Sequence, residues 1–229
     1  MGREPLLEYL TAILFCICLT VDSGPAARAA EFGGKPERSD VVVTYARPSG
    51  AFTPIWLAYE AGLFKKYGLN ATLQLLNPQV SAQAVISEEA DFYTDGPDLI
   101  HARLHGGQVK YFGATEKYLE NNPNTVYAFL KAIAEGVVLS RNDAAVAKKA
   151  IGKYAKIGDG PTLDGAYDAI ASYRAMSLAV RPEAIRGQLD YIDERQFPKV
   201  KSADPKEFHD HSFVDALGKS GFLNNLGMK

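Results

Sequence analysis

Val41-Val42-Val43-Thr44-Tyr45, then the loop from Ala46 to Phe52, then Thr53-Pro54-Ile55-Trp56-Leu57-Ala58-Tyr59 form the stretch on which the fold turns. The first run is β-branched and shows no polar alternation, the mark of a strand buried on both faces. Thr53 is an N-cap candidate, and Pro54 suits a first helical position, where its missing N–H costs nothing. Ile55, Ala58, Tyr59, Gly62 and Leu63 then recur at helical spacing on one face, and Gly68 ends the segment.

The same alternation continues outward from this unit. Residues 71–76 read as a second strand, and Asn77-Pro78 opens a second helix through about Ser87. Residues 90–93 form a short third strand, Gly96-Pro97 starts a third helix that stops at Gly106-Gly107, and residues 109–113 read as a fourth strand. Strands and helices alternating over short connections predict an α/β fold over residues 40–115, a mainly parallel sheet covered by helices. Beyond residue 115 the strand signals stop. Val126, Phe129, Leu130, Ile133 and Val137 form one helical stripe within 123–139, and further helices are expected over 143–154, 163–174, 182–195 and 213–219. Gly158-Asp159-Gly160-Pro161, Arg181-Pro182, Asp204-Pro205 and Gly221 separate them. Residues 116–229 therefore read as an all-helical segment packing on the first unit.

Composition narrows the function. The 229 residues are 47% hydrophobic and 23% charged, a globular balance that excludes a disordered chain. A net charge of −2 leaves no electrostatic footprint for nucleic acid. Both cysteines, Cys16 and Cys18, fall in the first twenty residues, so neither a disulfide framework nor a cysteine metal site follows them. Residues 10–21 are apolar but shorter than the roughly 20 residues a spanning helix needs. Small residues and Ala27-Arg28-Ala29, an A-x-A-like cleavage site, come next. Residues 1–29 thus read as a secretory signal peptide, with export to the bacterial periplasm of a mature chain without cysteine.

Ligands of open parallel sheets collect at the carboxyl ends of the strands. Two such ends carry suggestive chemistry. Arg47-Pro48-Ser49-Gly50-Ala51-Phe52-Thr53 offers a cation, hydroxyls, a flexible glycine and the orphan N–H groups of the helix that follows, the ingredients of an anion cradle. Thr94-Asp95-Gly96 stands at the exit of the third strand. The four histidines pair as His101 and His105, spaced i, i+4, and as His209 and His211 around Asp210, but neither motif fixes a third metal ligand. A Gly-x-Ser-x-Gly elbow, a P-loop and a Gly-x-Gly-x-x-Gly fingerprint are all missing from the sequence. Glu88-Glu89 and Asp193-Glu194 are adjacent pairs, which point apart on a helix and make no general acid–base couple. Catalysis, a metal and a cofactor are therefore not expected.

The strand at 41–45 and Pro54-Ile55-Trp56-Leu57-Ala58-Tyr59-Glu60-Ala61-Gly62-Leu63-Phe64-Lys65-Lys66-Tyr67-Gly68-Leu69 resemble periplasmic solute-binding proteins of ABC transporters. The branch is the one that handles nitrate, sulfonates, taurine and thiamine-pyrimidine precursors. Ser87-Glu88-Glu89-Ala90-Asp91-Phe92 resembles the family's next landmark, with Glu88 where a glycine is usual. The similarity resumes at Lys117-Tyr118-Leu119-Glu120-Asn121-Asn122-Pro123-Asn124-Thr125-Val126 and runs to Phe213-Val214-Asp215 and Gly221-Phe222.

The resemblance implies a small-molecule ligand, an ABC permease as partner, and ligand contacts from Arg47, Ser49, Gly50, Ala51, Thr94 and Asp95. It also implies two α/β lobes joined by crossing strands, and here the chain departs from the family. Residues 109–114 resemble the outgoing strand and Thr115-Glu116-Lys117-Tyr118 the return, with about a hundred residues, a small domain, absent between them. The expectation is one lobe plus the C-terminal helices, weakened ligand binding and weak self-association through the uncovered face. Two other functions fit the same lobe. One is a thiamine-pyrimidine synthase, whose cysteine-rich iron motif has no counterpart here. The other is an interaction module using the exposed surface.

Overall fold

The computed structural model describes residues 32–94, 97–110, 113–170 and 178–228. The expected signal peptide and Asp95 lie outside the described residues. Three parallel strands, β1 (Asp40–Tyr45), β2 (Asn70–Leu75) and β3 (Phe92–Tyr93), form a sheet in the order β2-β1-β3. Asp40 pairs with Asn70 and Tyr45 with Leu75 at the two ends of the β1–β2 ladder, while Val43 and Thr44 face Phe92 and Tyr93. The central strand is the β-branched run. Its two sides are sealed differently: Val41, Val43 and Tyr45 join the main core, and Val42 packs with Ala82, Ala84, Val85 and Leu99. Asp91 fixes the β1–β3 register, its Oδ2 accepting from the Val42 amide at 2.7 Å and its Oδ1 lying 3.2 Å from Arg38.

The first connection is two helices, α1 (Thr53–Glu60) and α2 (Leu63–Lys66), where the apolar spacing predicts one. Gly62 sits at φ +70°, a left-handed conformation open to glycine, and there the chain turns. Tyr59, expected on the buried stripe, is consequently 44% exposed. The helix α3 (Pro78–Ile86) joins β2 to β3, and α4 (Pro97–Leu104) follows β3.

Among the described residues, the expected fourth strand does not join the parallel sheet. β4 (Val109–Lys110) pairs antiparallel with β5 (Ala114–Thr115) as a separate two-stranded ladder. Gly113 reverses the chain at φ +86°, and its carbonyl accepts from the Tyr93 amide at 2.8 Å. A Cβ on Gly113 would lie 1.6 Å from the Tyr93 carbonyl oxygen, so Gly113 is pressed against β3. The segment expected to return as a crossing strand stays extended only at Thr115, in β5, and is helical from Glu116. The Thr115 hydroxyl accepts from the Tyr118 amide at 3.1 Å and caps α5 (Glu116–Asn121).

Among the described residues no strand follows Thr115. α6 (Pro123–Asn142) lies along α1 so closely that a Cβ on Gly136 would meet the Pro54 carbonyl oxygen at 2.2 Å. Phe129 of α6 stacks on Phe92 with centroids 3.9 Å apart. α7 (Ala144–Ala155) brings Tyr154 onto Trp56, and α8 (Pro161–Ala169) with Ile170 covers the loop after β1. α9 (Pro182–Asp190) is shorter than the sequence suggests, and α10 (Ser212–Lys219) and α11 (Phe222–Asn225) close the chain on α6.

Candidate functional site

The strand order fixes where a ligand crevice belongs. The connection leaving β1 runs over the face of Val41, Val43 and Tyr45 to β2, and the one leaving β2 runs over the opposite face to β3. The carboxyl ends of β1 and β3 therefore flank the topological switch point, where such sheets open a crevice.

Arg47, Ser49, Gly50 and Ala51 ride on the loop at the β1 end, and Thr94 stands at the β3 end. The two ends are tied through one atom. The Thr44 carbonyl oxygen accepts from the Thr94 amide at 3.1 Å and from its hydroxyl at 3.0 Å. Both Thr94 donors are thus spent, and its oxygen keeps acceptor capacity only. Arg47 is exposed and supplies the positive charge at this end.

The loop itself differs from the expected cradle. Gly50–Phe52 is a 3-10 turn that runs straight into α1 and takes up the amides of Ala51, Phe52 and Thr53 internally. The Ala51 amide points at the Ser49 hydroxyl at 3.4 Å, the Phe52 amide donates to the Ser49 carbonyl at 3.0 Å, and the Thr53 amide donates to Gly50. Pro54 has no N–H at all. The Thr53 hydroxyl, fully buried, turns back to the Gly50 carbonyl at 2.6 Å. The turn thus takes up three of the amides expected in the cradle, and the Gly50 amide is not among them. Gly50 also has a packing reason to lack a side chain, since a Cβ there would lie 2.4 Å from Cγ2 of Ile170.

Ser81 was not singled out by sequence. It is fully buried one turn into α3, and its hydroxyl has no partner among the described residues. A small polar residue beside Ala82 and Val85 on an otherwise apolar helix face is the only sequence signal of it.

The histidines have neighbours of another kind. His101 and His105 both lie against Phe197, with ring centroids at 5.4 and 4.6 Å. Among the described residues no three His, Cys, Asp or Glu side chains gather as a metal would require. Two sizeable cavities lie elsewhere. One of about 500 Å³ sits at the amino ends of β1 and β2 between Arg38, Asn70 and Glu88, and one of about 580 Å³ lies between Arg103, His105 and Lys199. Neither is lined by the residues at the carboxyl ends of β1 and β3.

No protein-family model matches this sequence, and no curated protein matches it. A solved structure from Bordetella bronchiseptica RB50 is similar to it, with a TM-score of 0.62 at 13% identity, over 82% of this chain and 99% of that one. At that identity the likeness carries the fold, and the fold is α/β with a helical C-terminal part.

Proposed function

We propose that this chain is the solute-binding component of an ABC importer, exported to the periplasm and taking a small anionic solute of the sulfonate, nitrate or pyrimidine-precursor type. The observation that supports this reading is the strand order β2-β1-β3, which sets the Arg47 loop and Thr94 on the two sides of the switch point. Arg47 supplies the charge that selects an anion, the Ser49 hydroxyl can donate beside it, and the Thr94 oxygen is left to accept from a donor group of the solute. The ligand passes to a permease in the inner membrane.

A clamp of two lobes buries most of its ligand, whereas a single lobe leaves one face in water. Losing several contacts worth roughly 1 kcal/mol each costs two or three orders of magnitude in affinity. Titration calorimetry with methanesulfonate, nitrate and a 4-aminopyrimidine is the test. The expected result is one ligand class bound in the high-micromolar range or more weakly, with Arg47→Ala lowering affinity about ten- to a hundredfold. Light scattering should show mass rising with concentration as uncovered faces meet. Heat signals absent for all three probes, or equal affinities for Arg47→Ala and the parent, would remove this reading.

A further inference from the structure

His209 and His211 stack face to face, with ring centroids 4.1 Å apart and planes 12° from parallel. The pair joins parts of the chain that are far apart in sequence. Nε2 of His211 lies 2.7 Å from the Val180 carbonyl, which fixes that nitrogen as the donor. Beside the pair, the Lys110 ammonium donates to the Glu207 carbonyl at 3.0 Å and meets the Glu116 carboxylate at 2.8 Å. Nε2 of His209 is buried and has no partner among the described residues. Both rings border an apolar cavity of about 70 Å³ walled by Phe92, Phe129, Leu130 and Phe213.

We propose that the stacked His209–His211 pair is a proton-operated latch, which holds residues 178–180 and 204–211 on the β4–β5 hairpin and α6 and releases them on acidification, opening the apolar cavity to solvent. A second proton on His209 sets a cation against the face of the His211 ring and near the Lys110 ammonium. A proton on His209 Nε2 also creates a buried charged donor with nothing to receive it. The charged and titratable groups acting on His209 are Lys110 from β4, His211 and Asp210 from its own loop, and Asp204 from the turn before Pro205–Phe208; among the described residues the cavity wall from α5 and α6 is Leu119, Val126, Phe129 and Leu130. Burial, then the His211 ring and the Lys110 ammonium, hold His209 below the usual imidazole value against the pull of Asp210 and Asp204. The closed state thus binds fewer protons than the open one, so acid favours opening. One proton makes the opening equilibrium rise up to tenfold per pH unit below about 6.5.

Hydrogen–deuterium exchange on the full chain, at about pH 7.5 and about pH 5.5 with labelling times corrected for intrinsic chemistry, reads the latch directly. Protection over 178–214 should fall up to tenfold at the lower pH while α1 holds its own. His209→Phe keeps an aromatic ring on His211 and should erase that pH dependence. Equal protection at the two pH values in the parent, or an unchanged dependence in His209→Phe, would overturn the proposal. Should His209→Phe not fold, an NMR titration of the parent decides. A His209 midpoint below about 6.5 that tracks the loss of protection supports the latch, and one at or above that value overturns it.

Discussion

The carboxylate of Glu37 sits on the amino terminus of α6, its Oε2 2.9 Å from the Thr125 backbone nitrogen. The other oxygen accepts from the Asn124 amide at 3.1 Å and from its side chain at 2.8 Å. A residue ahead of the first strand therefore caps the longest described helix, and the negative charge meets the positive end of its dipole. Burial raises the Glu37 pKa, but the bonds from Thr125 and Asn124 outweigh it and the net shift is downward. The stabilisation is present above the ordinary value of 4.5 and fades as pH falls through the lowered one. Glu37→Ala should cost about 1 kcal/mol at neutral pH, a Tm loss of a few degrees. In thermal melts from about pH 6 to about pH 3, Glu37→Gln and the parent should converge at the acid end.

Glu88 occupies a left-handed conformation, φ +63°. Its exposed ion pair with Lys117, at 2.7 Å, is of a kind that contributes little. Glu88→Gly should raise stability by about 0.5–1 kcal/mol, because glycine adopts this backbone without steric cost. Lys117→Ala should stay within about 0.5 kcal/mol of the parent. A lower Tm for Glu88→Gly would show that the ion pair outweighs the backbone strain.

Gly50 and Ile170 give a test that separates packing from ligand contact. Gly50→Ala should destabilise by roughly 1–3 kcal/mol, since its Cβ would lie 2.4 Å from Cγ2 of Ile170. Ile170→Ala removes that methyl, so the double variant should lose less than the sum of the two single losses. Chemical denaturation of the four proteins measures the coupling, and strict additivity would mean that Ile170 does not set the choice at position 50.

Trp56, the only tryptophan, is wholly buried and stacks on Tyr154 with centroids 5.0 Å apart. Tyr154 and Lys153 both reach Glu60 Oε1, at 2.6 and 2.7 Å, which pins α7 to α1. Tyr154→Ala should cost about 2 kcal/mol and shift Trp56 emission to the red as water reaches the ring. Lys153→Ala should leave the emission unchanged, because the aromatic stack rather than the exposed charge keeps water out.

The architecture was legible where a residue's own chemistry decides its conformation. The run at 41–45 had to be a buried strand, Asn77-Pro78 had to open a helix, and the stripe on 123–139 had to face a core. Position-by-position signals failed where a distant group decides. Residues 109–113 look like a strand by composition, yet Gly113 turns there because it lies against the Tyr93 backbone. Gly62 fits the apolar spacing of α1 and still ends it, since spacing carries no information about φ. At the site, Arg47, Ser49 and Thr94 could be named from their place after strands. That a 3-10 turn takes up the Ala51, Phe52 and Thr53 amides could not, because the hydrogen-bond accounting is set by backbone geometry. The spacing of His209 and His211 is plain in sequence, but their stacking depends on Val180, thirty-one positions away.

The β4–β5 ladder has a consequence for how the chain tolerates change. Val109 faces Thr115 and Lys110 faces Ala114, so the polypeptide enters and leaves the turn at adjacent points, each held by backbone bonds. Chain added between Lys110 and Gly113 leaves that ladder and the Gly113 carbonyl's bond to the Tyr93 amide in place. The entropic penalty for closing a longer excursion grows only with the logarithm of its length. The interval between Lys110 and Gly113 is thus a graft junction: a whole folded module can be spliced in or excised there while the body beneath keeps its shape, as a branch is set on or taken from a stem.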